Sequence, residues 1–137
     1  MFPLVLVEFG QLSFLDLLLS GSDWKAFPYQ NDRHPKAADT VDLYTEATFD
    51  GYSGPQSLLS WEAAEFIDGR ALARHPALAW VHNGGGIDNY LFGICVVDAD
   101  FNLIWAARDP RAPVYVRPQS PSYVYQPVLS VAAEYLG

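Results

Sequence analysis

The sequence contains very little cysteine: Cys95 is the only one in 137 residues. A single thiol excludes an internal disulfide and a zinc cluster built on cysteines, so the fold must hold without covalent cross-links. Cys95 lies in the apolar stretch "FGICVVD", where a small buried hydrophobic residue is expected.

Basic residues are also scarce, with eight Lys and Arg against 16 Asp and Glu and a formal net charge of -8. We therefore expect no nucleic-acid partner and no attraction to an anionic membrane. A long hydrophobic run is missing as well, because Pro3, Glu8 and Asp16 interrupt the apolar N-terminus well short of the ~20 residues of a membrane span. No basic region precedes it, so the segment is predicted to belong to a protein that is made in the cytoplasm and not secreted.

Apolar residues, in contrast, are plentiful: 50% of the chain is hydrophobic and 15% is aromatic. This length and composition suit a single β-sandwich domain over residues 1–137. The aromatic content exceeds what one small core needs, so some aromatic side chains are expected at an interface.

The order of segments predicts an all-β fold, an antiparallel β-sandwich or a jelly-roll-like barrel with one short N-terminal helix. Residues 1–10 are predicted to be a strand or an extended arm. Residues 11–21 carry leucines at helical spacing and predict a short helix. That helix is apolar almost all round, which indicates burial against a sheet or a neighbouring subunit. From Trp24 onward, short apolar segments alternate with turns, and Pro28 is expected to place its strand at a sheet edge.

Two hairpins are predicted in the β-rich part. Asp68-Gly69 is the strongest short-range hairpin signal in the sequence, although residues 61–67 also allow a single helical turn. The stretches "YLFGICVVD" and "LIWAAR" are apolar on both faces, which predicts two central strands.

The stretch "DADFNLIWAARD" covers the connection between these two strands and the second strand itself. Its pattern of acidic residues allows two interpretations, a metal site or a turn. Asp98, Asp100 and Asn102 match the opening of a calcium loop, and Asp109 occupies its closing position. Leu103, however, stands where such a loop needs glycine, and the flanks predict strands instead of helices. We therefore interpret the stretch as a β-hairpin turn.

Signatures of catalysis and cofactor binding are weak throughout. His34, His75 and His82 show no metal-ligand spacing. The stretch "HNGGG" resembles the oxyanion loop of some esterases, but no nucleophile elbow accompanies it. Pairs such as Glu62 with Glu65 are expected by chance among 16 acidic residues. We predict no enzymatic activity, no cofactor and no metal; a hydrolase is the third hypothesis.

The surplus aromatic residues allow two roles, a platform for sugar rings or a hydrophobic core. Of the four tryptophans, Trp24 included, three lie in alternating apolar stretches, which favours the core; these three are Trp61, Trp80 and Trp105. The tyrosines near the C-terminus are better candidates for an exposed contact surface; they are Tyr115, Tyr123 and Tyr125.

Four stretches occur in an order that resembles a known family. They read "LSFLDLLLSG", "FPYQNDRHP", "DLYTEATFDGYSG" and "LFGICVVDADFNLIWAARDP". Together they are similar to small β-rich structural proteins of tailed bacteriophages. The resemblance covers most of the chain and implies a β-sandwich component of a phage particle without an active site. "HNGGG" and "PSYVYQP" depart from the family pattern and are the places where contacts particular to this chain are expected.

The function that follows is non-enzymatic. We expect a virion structural protein, a capsid decoration (cement) protein that binds the outer capsid surface as a homo-oligomer, with a trimer favoured. Its partners would be the major capsid protein or other virion proteins. A tail- or neck-associated virion protein and a glycan-binding host-recognition module are the alternatives. The residues predicted at the interface are Phe2, Leu4, Leu6, Phe9, Tyr115, Tyr123 and Tyr125.

Overall fold

The computed structural model describes residues 4–5, 7–131 and 134–135, with side chains for residues 7–131. Within these ranges the strands all pair antiparallel, which confirms the predicted β-rich fold class with one N-terminal α-helix. In chain order the elements are β1 (Leu4–Val5), α1 (Glu8–Leu19), β2 (Lys25–Tyr29), a 3₁₀ turn (Val41–Leu43), β3 (Gln56–Ser57), β4 (Glu65–Ile67), β5 (Arg70–Arg74), β6 (Leu78–Val81), β7 (Asn89–Leu91), β8 (Gly93–Val97), β9 (Leu103–Arg108), β10 (Val114–Val116), β11 (Ser122–Tyr125), β12 (Val128–Val131) and β13 (Glu134–Tyr135).

The chain divides into two compact units. The first unit comprises Met1–Ser22, Leu59–Ala77 and Gln126–Gly137, and the second comprises Asp23–Leu58 and Leu78–Tyr125. The single domain over residues 1–137 stays a prediction.

Helix α1 of the first unit begins at Glu8, three residues before the predicted start at residue 11, and ends at Leu19. The last residues of the predicted arm 1–10 are therefore helical. Glu8 suits the first turn because a carboxylate stabilises the positive end of the helix dipole. Gln11 anchors the same turn, since its buried Oε1 accepts the Ala71 N–H at 3.0 Å.

The first unit also contains a three-stranded sheet in the order β12-β5-β4. Leu15 and Leu19 of α1 are buried, and so are Ala71 and Ala73 of β5. Strands β4 and β5 form the predicted hairpin, whose two turn residues, Asp68 and Gly69, both have positive φ, as the mirror-image turn of an Asp-Gly hairpin requires. Residues 61–64 are not helical, so the helical-turn alternative is wrong.

The second unit is built on a four-stranded sheet in the order β3-β2-β8-β9. All five residues of β8 are buried, and its Cys95 lies, as predicted, in a core with Phe27, Tyr29, Tyr44 and Val97. The expectation of two central strands is confirmed for β8 and wrong for β9. Strand β9 ends the sheet, and its side chains are half-buried or exposed.

Pro28 was expected at an edge, yet β2 lies inside the sheet, between β3 and β8. The N and C=O of one residue point to the same side of a strand, and the Pro28 carbonyl accepts the Ala47 N–H at 3.0 Å. The Pro28 nitrogen therefore points away from β8 and takes no donor from that ladder. Strand β3 pairs only with Lys25 and Ala26, so it does not need a Pro28 N–H either.

The connection between β8 and β9 is the predicted hairpin turn. One Asp98 oxygen accepts the backbone N–H groups of Asp100 and Asn102, each at 2.9 Å, and the other accepts the Asn102 side-chain amide. These bonds, above all that from the Asn102 backbone, lower the Asp98 pKa. Asp109, the other end of the calcium pattern, bonds Arg111 and Tyr123 instead.

Candidate functional site

The side of helix α1 that points away from its own unit is apolar. Gln11, Leu15 and Leu19, spaced by four residues, are buried. Because a helix turns by about 100° per residue, the opposite side is centred on Ser13 and Leu17. We define the outer face of α1 as Phe9, Gly10, Ser13, Phe14 and Leu17.

Large side chains on this face are exposed to solvent: Phe9 to 78%, Leu17 to 76% and Phe14 to 48%. Val7, just before the helix, and Leu18 at its edge extend the exposed apolar surface. A helix on the surface of a monomer normally turns polar residues outward. Contiguous exposed apolar side chains indicate a surface that another molecule covers.

The outer face itself contains no charged residue. The helix carries two charged residues, Glu8 and Asp16. The Asp16 carboxylate accepts the Ala64 N–H at 3.1 Å, so it serves the first unit internally. The face thus offers aromatic and aliphatic surface, with the small residues Gly10 and Ser13 between the large ones, where a partner side chain has room to approach.

Phe9 is the predicted interface residue that lies on this face. Leu4 lies in β1 and pairs opposite Tyr135 of β13, so the backbone of this part of the predicted arm joins a strand of its own unit. Phe2 and Leu6 lie outside the described residues. Phe14 and Leu17 were missed, although they lie off the leucine stripe that predicted the buried side of the helix, which is the signal that they point outward.

A second exposed feature lies in the second unit, where β7 and β10 pair. Tyr115 is directly opposite Tyr90, and their rings stack with centroids 4.4 Å apart. The Arg117 guanidinium lies over the Tyr115 ring, 4.9 Å from its centroid. We call these three residues the tyrosine platform. Tyr90 is 53% exposed, so the ring side away from Tyr115 faces solvent.

The Tyr115 hydroxyl donates to an Asp88 carboxylate oxygen at 3.3 Å. Burial and the nearby Asp88 charge raise the Tyr115 pKa. The other Asp88 oxygen lies 2.9 Å from the His82 Nε2. The hydrogen bond from Tyr115 to Asp88 therefore holds the platform in place. Tyr115 is half-buried, and the exposed ring of the platform is that of Tyr90, which was not among the predicted interface residues. An interface role of Tyr115 stays a prediction.

Tyr123 was predicted to be exposed, and this is wrong: it is 1% exposed. Its hydroxyl donates to Asp109, and burial together with this bond raises its pKa well above the usual range. Tyr125 is half-buried, with its ring 6.5 Å from the Tyr123 ring. Side chains along β11 alternate between the two sides of the strand, so Tyr123 and Tyr125 share one side. The exposed side carries Val124 between them. A role of either tyrosine at an interface stays a prediction.

Two of the three histidines, His75 and His82, are held by structural hydrogen bonds. The buried His82 accepts the Gly84 N–H at Nδ1, and its Nε2 faces the Ile87 carbonyl and Asp88. His75 accepts the Ser60 N–H at Nε2. Among the residues that the structure describes, no group of three or more His, Cys, Asp or Glu side chains is placed to hold a metal ion.

No family model, no curated protein and no solved structure matches this chain. The phage resemblance therefore rests on the four sequence stretches alone. In the described part of the chain no helix has the length and hydropathy to cross a membrane.

Proposed function

We propose that this protein is a non-enzymatic structural protein of a tailed-bacteriophage virion, a decoration protein that binds its neighbours through surface contacts. The observation that carries the proposal is the outer face of α1, where Phe9 and Leu17 are each about three-quarters exposed. Exposing large apolar side chains to water is unfavourable in free energy, and a protein partner that covers them relieves this. The resemblance to phage structural proteins supplies the context.

The size of the outer face fits binding on a repeating lattice. Covering Phe9 and Leu17 removes most of two large apolar side chains from water, which contributes about 2–5 kcal/mol per copy. Association itself costs several kcal/mol in lost freedom, so one copy alone binds weakly. A homo-oligomer that presents several such faces to a symmetric shell binds far more tightly, because the later contacts form at high effective concentration.

Quantitative mass spectrometry of purified particles of the virus that carries this chain tests the proposal. A copy number comparable to that of the major capsid protein supports decoration. A handful of copies per particle moves the protein to the neck or tail. Absence from the particles overturns the virion proposal.

The role of the outer face is tested with two matched variants. Leu17→Ser changes the outer face, whereas Leu59→Ser changes a leucine of the same unit that is 71% exposed and lies outside the helix. We expect Leu17→Ser particles to carry severalfold fewer copies, and Leu59→Ser particles to carry the normal number. Equal incorporation of the two variants would exclude the outer face as the contact.

The tyrosine platform favours a second candidate function, a glycan-binding module for host recognition. The outward side of Tyr90 is a flat aromatic surface of the kind on which sugar rings stack, and Arg117 supplies hydrogen-bond donors beside it. Tyr115 itself is covered on both ring faces, so Tyr90 would carry the contact. A glycan array tests this function with the full chain, the Tyr90→Ala variant and, as a control, a variant of the neighbouring exposed residue, Ile87→Ala. Glycan binding that Tyr90→Ala removes and Ile87→Ala leaves intact supports the function.

A further inference from the structure

Strand β9 leaves one side of its backbone open. It is an edge strand of the four-stranded sheet β3-β2-β8-β9, and no described strand pairs with its far side. Alternate residues of a strand turn their N–H and C=O groups to opposite sides, so half of the backbone groups of β9 face away from β8. An unpaired edge of this kind accepts an added strand.

A groove of about 340 Å³ lies along this edge. Residues of β9 form one wall, and the loop before the 3₁₀ turn forms the other. Its volume falls at the lower end of the range of small-ligand sites, so it holds a short stretch of a ligand. The groove is lined by Pro35, Lys36, Ala37, Asp39, Tyr44, Leu103, Ile104, Trp105 and Ala106.

The one carboxylate of the groove is already occupied. Asp39 accepts two bonds from the Arg33 guanidinium, one from the Tyr44 hydroxyl and one from the Lys36 backbone N–H. Its side chain is 4% exposed, and the bonds from Arg33, followed by that from Tyr44, hold its pKa well below the usual range. Asp39 therefore builds the wall and offers a ligand little acceptor capacity.

Two side-chain donors of the groove residues, those of Trp105 and Lys36, are in contrast unused. The indole Nε1–H of Trp105 is buried and has no hydrogen-bond partner among the described residues. A buried donor without an acceptor costs free energy. Lys36 is exposed, and no carboxylate in the described ranges lies within 4.0 Å of its ammonium group. The groove thus combines a positive charge with an open strand edge and apolar side chains, and the unpaired Trp105 indole belongs to one of its lining residues.

We propose that this groove binds the carboxylate end of an extended peptide, which adds to β9 as a further strand. The peptide backbone pairs with the open edge of β9, Lys36 receives the carboxylate, and the Trp105 side chain lines the groove beside the bound peptide. This combination of strand addition and carboxylate capture is a recurring mode of peptide recognition. The groove lies in the second unit and does not involve the outer face of α1. The peptide-binding proposal is therefore tested independently of the proposed virion role.

The test is an NMR titration of the full ¹⁵N-labelled chain with a short peptide of alternating threonine and valine that ends in a free carboxylate. The same peptide with a C-terminal amide is the control. We expect the free-acid peptide to shift the Trp105 indole signal and the amide signals of β9, and to bind about tenfold more tightly than the amide form. The Trp61 indole provides an internal control, because its Nε1 is also buried without a partner but lies in the first unit.

Two variants make the test specific. Lys36→Gln should reduce the affinity for the free-acid peptide to that for the amide form. Lys25→Gln, which changes the other exposed lysine of the second unit, should leave it unchanged. A Trp105 signal that does not move at millimolar peptide, or that moves equally with both peptides, overturns the proposal. Equal shifts of the Trp105 and Trp61 signals would show non-specific contact and overturn it as well.

Discussion

The Tyr123 hydroxyl donates a 2.8 Å hydrogen bond to the Asp109 carboxylate, and both side chains are at most 2% exposed. Arg111 completes the arrangement, with its Nη2 2.8 Å from the same carboxylate oxygen and its guanidinium over the Tyr123 ring. A residue that the sequence suggested as a surface contact therefore belongs to a buried polar network of the second unit.

Removing the hydroxyl is expected to destabilise the protein. Tyr123→Phe keeps the ring but leaves a buried carboxylate with one donor fewer, which lowers the free energy of unfolding by about 1–3 kcal/mol. Tyr125→Phe, on the same strand and half-buried, is the control and should change it by less. Denaturant unfolding at neutral pH measures both, and equal losses would argue against the network.

The same network predicts how stability depends on pH. Burial opposes the ionisation of Asp109 and is the largest single influence on it, but bonds from Arg111 and Tyr123 outweigh it, so its pKa lies below the usual value. A depressed folded-state pKa contributes stability above the unfolded value of about 4. That contribution is lost as the pH falls through the folded-state pKa.

The measurement compares wild-type protein with Asp109→Asn across an acid pH series. Wild-type unfolding free energy should fall from about pH 4 downward. The difference between wild type and variant should be largest near neutral pH and should shrink in acid. A difference that stays constant down to the lowest pH would contradict the assignment to Asp109.

Gly51 is expected to be irreplaceable because another backbone lies against it. A Cβ at Gly51, where φ is +94°, would lie 2.7 Å from the Asn83 nitrogen. Gly54 has a similar φ of +91°, but a Cβ there would meet nothing within 4 Å. Gly54→Ala therefore carries only the backbone strain, about 1–2 kcal/mol, and Gly51→Ala should cost clearly more. Thermal unfolding of the two variants measures how much stability the clash removes beyond the backbone strain. Equal losses of stability would show that loop 82–86 moves to accommodate the added Cβ.

The orientation of α1 predicts a large effect on stability at one leucine and almost none at another leucine two positions away. Leu15 is fully buried, so Leu15→Ala should destabilise the first unit by about 2–5 kcal/mol. Leu17→Ala changes an exposed side chain and should stay within about 0.5 kcal/mol in the isolated chain. Chemical denaturation distinguishes them. A large loss at Leu17 would mean that the outer face is already covered in solution.

The turns could be predicted from the sequence, but which strands lie in the centre of a sheet and which at its edge could not. The hairpins at Asp68-Gly69 and at Asp98–Asn102 follow from residues that form the turn themselves. The burial of β8 followed from its unbroken apolar composition. The same composition misplaced β9, because a half-buried edge strand and a central strand differ in their neighbours and not in their own residues.

The sequence by itself determined the β-rich class, the single N-terminal helix, the two hairpins and the absence of a disulfide, since each depends on residues close together in the chain or on composition. Only the tertiary structure decided that Phe9, Phe14 and Leu17 face outward, that Tyr123 is buried while Tyr90 is exposed, and that Trp105 lines a groove. Those outcomes depend on which distant segment covers each side of a helix or strand. An apolar side chain at an interface and one in a core look alike until the partner element is known.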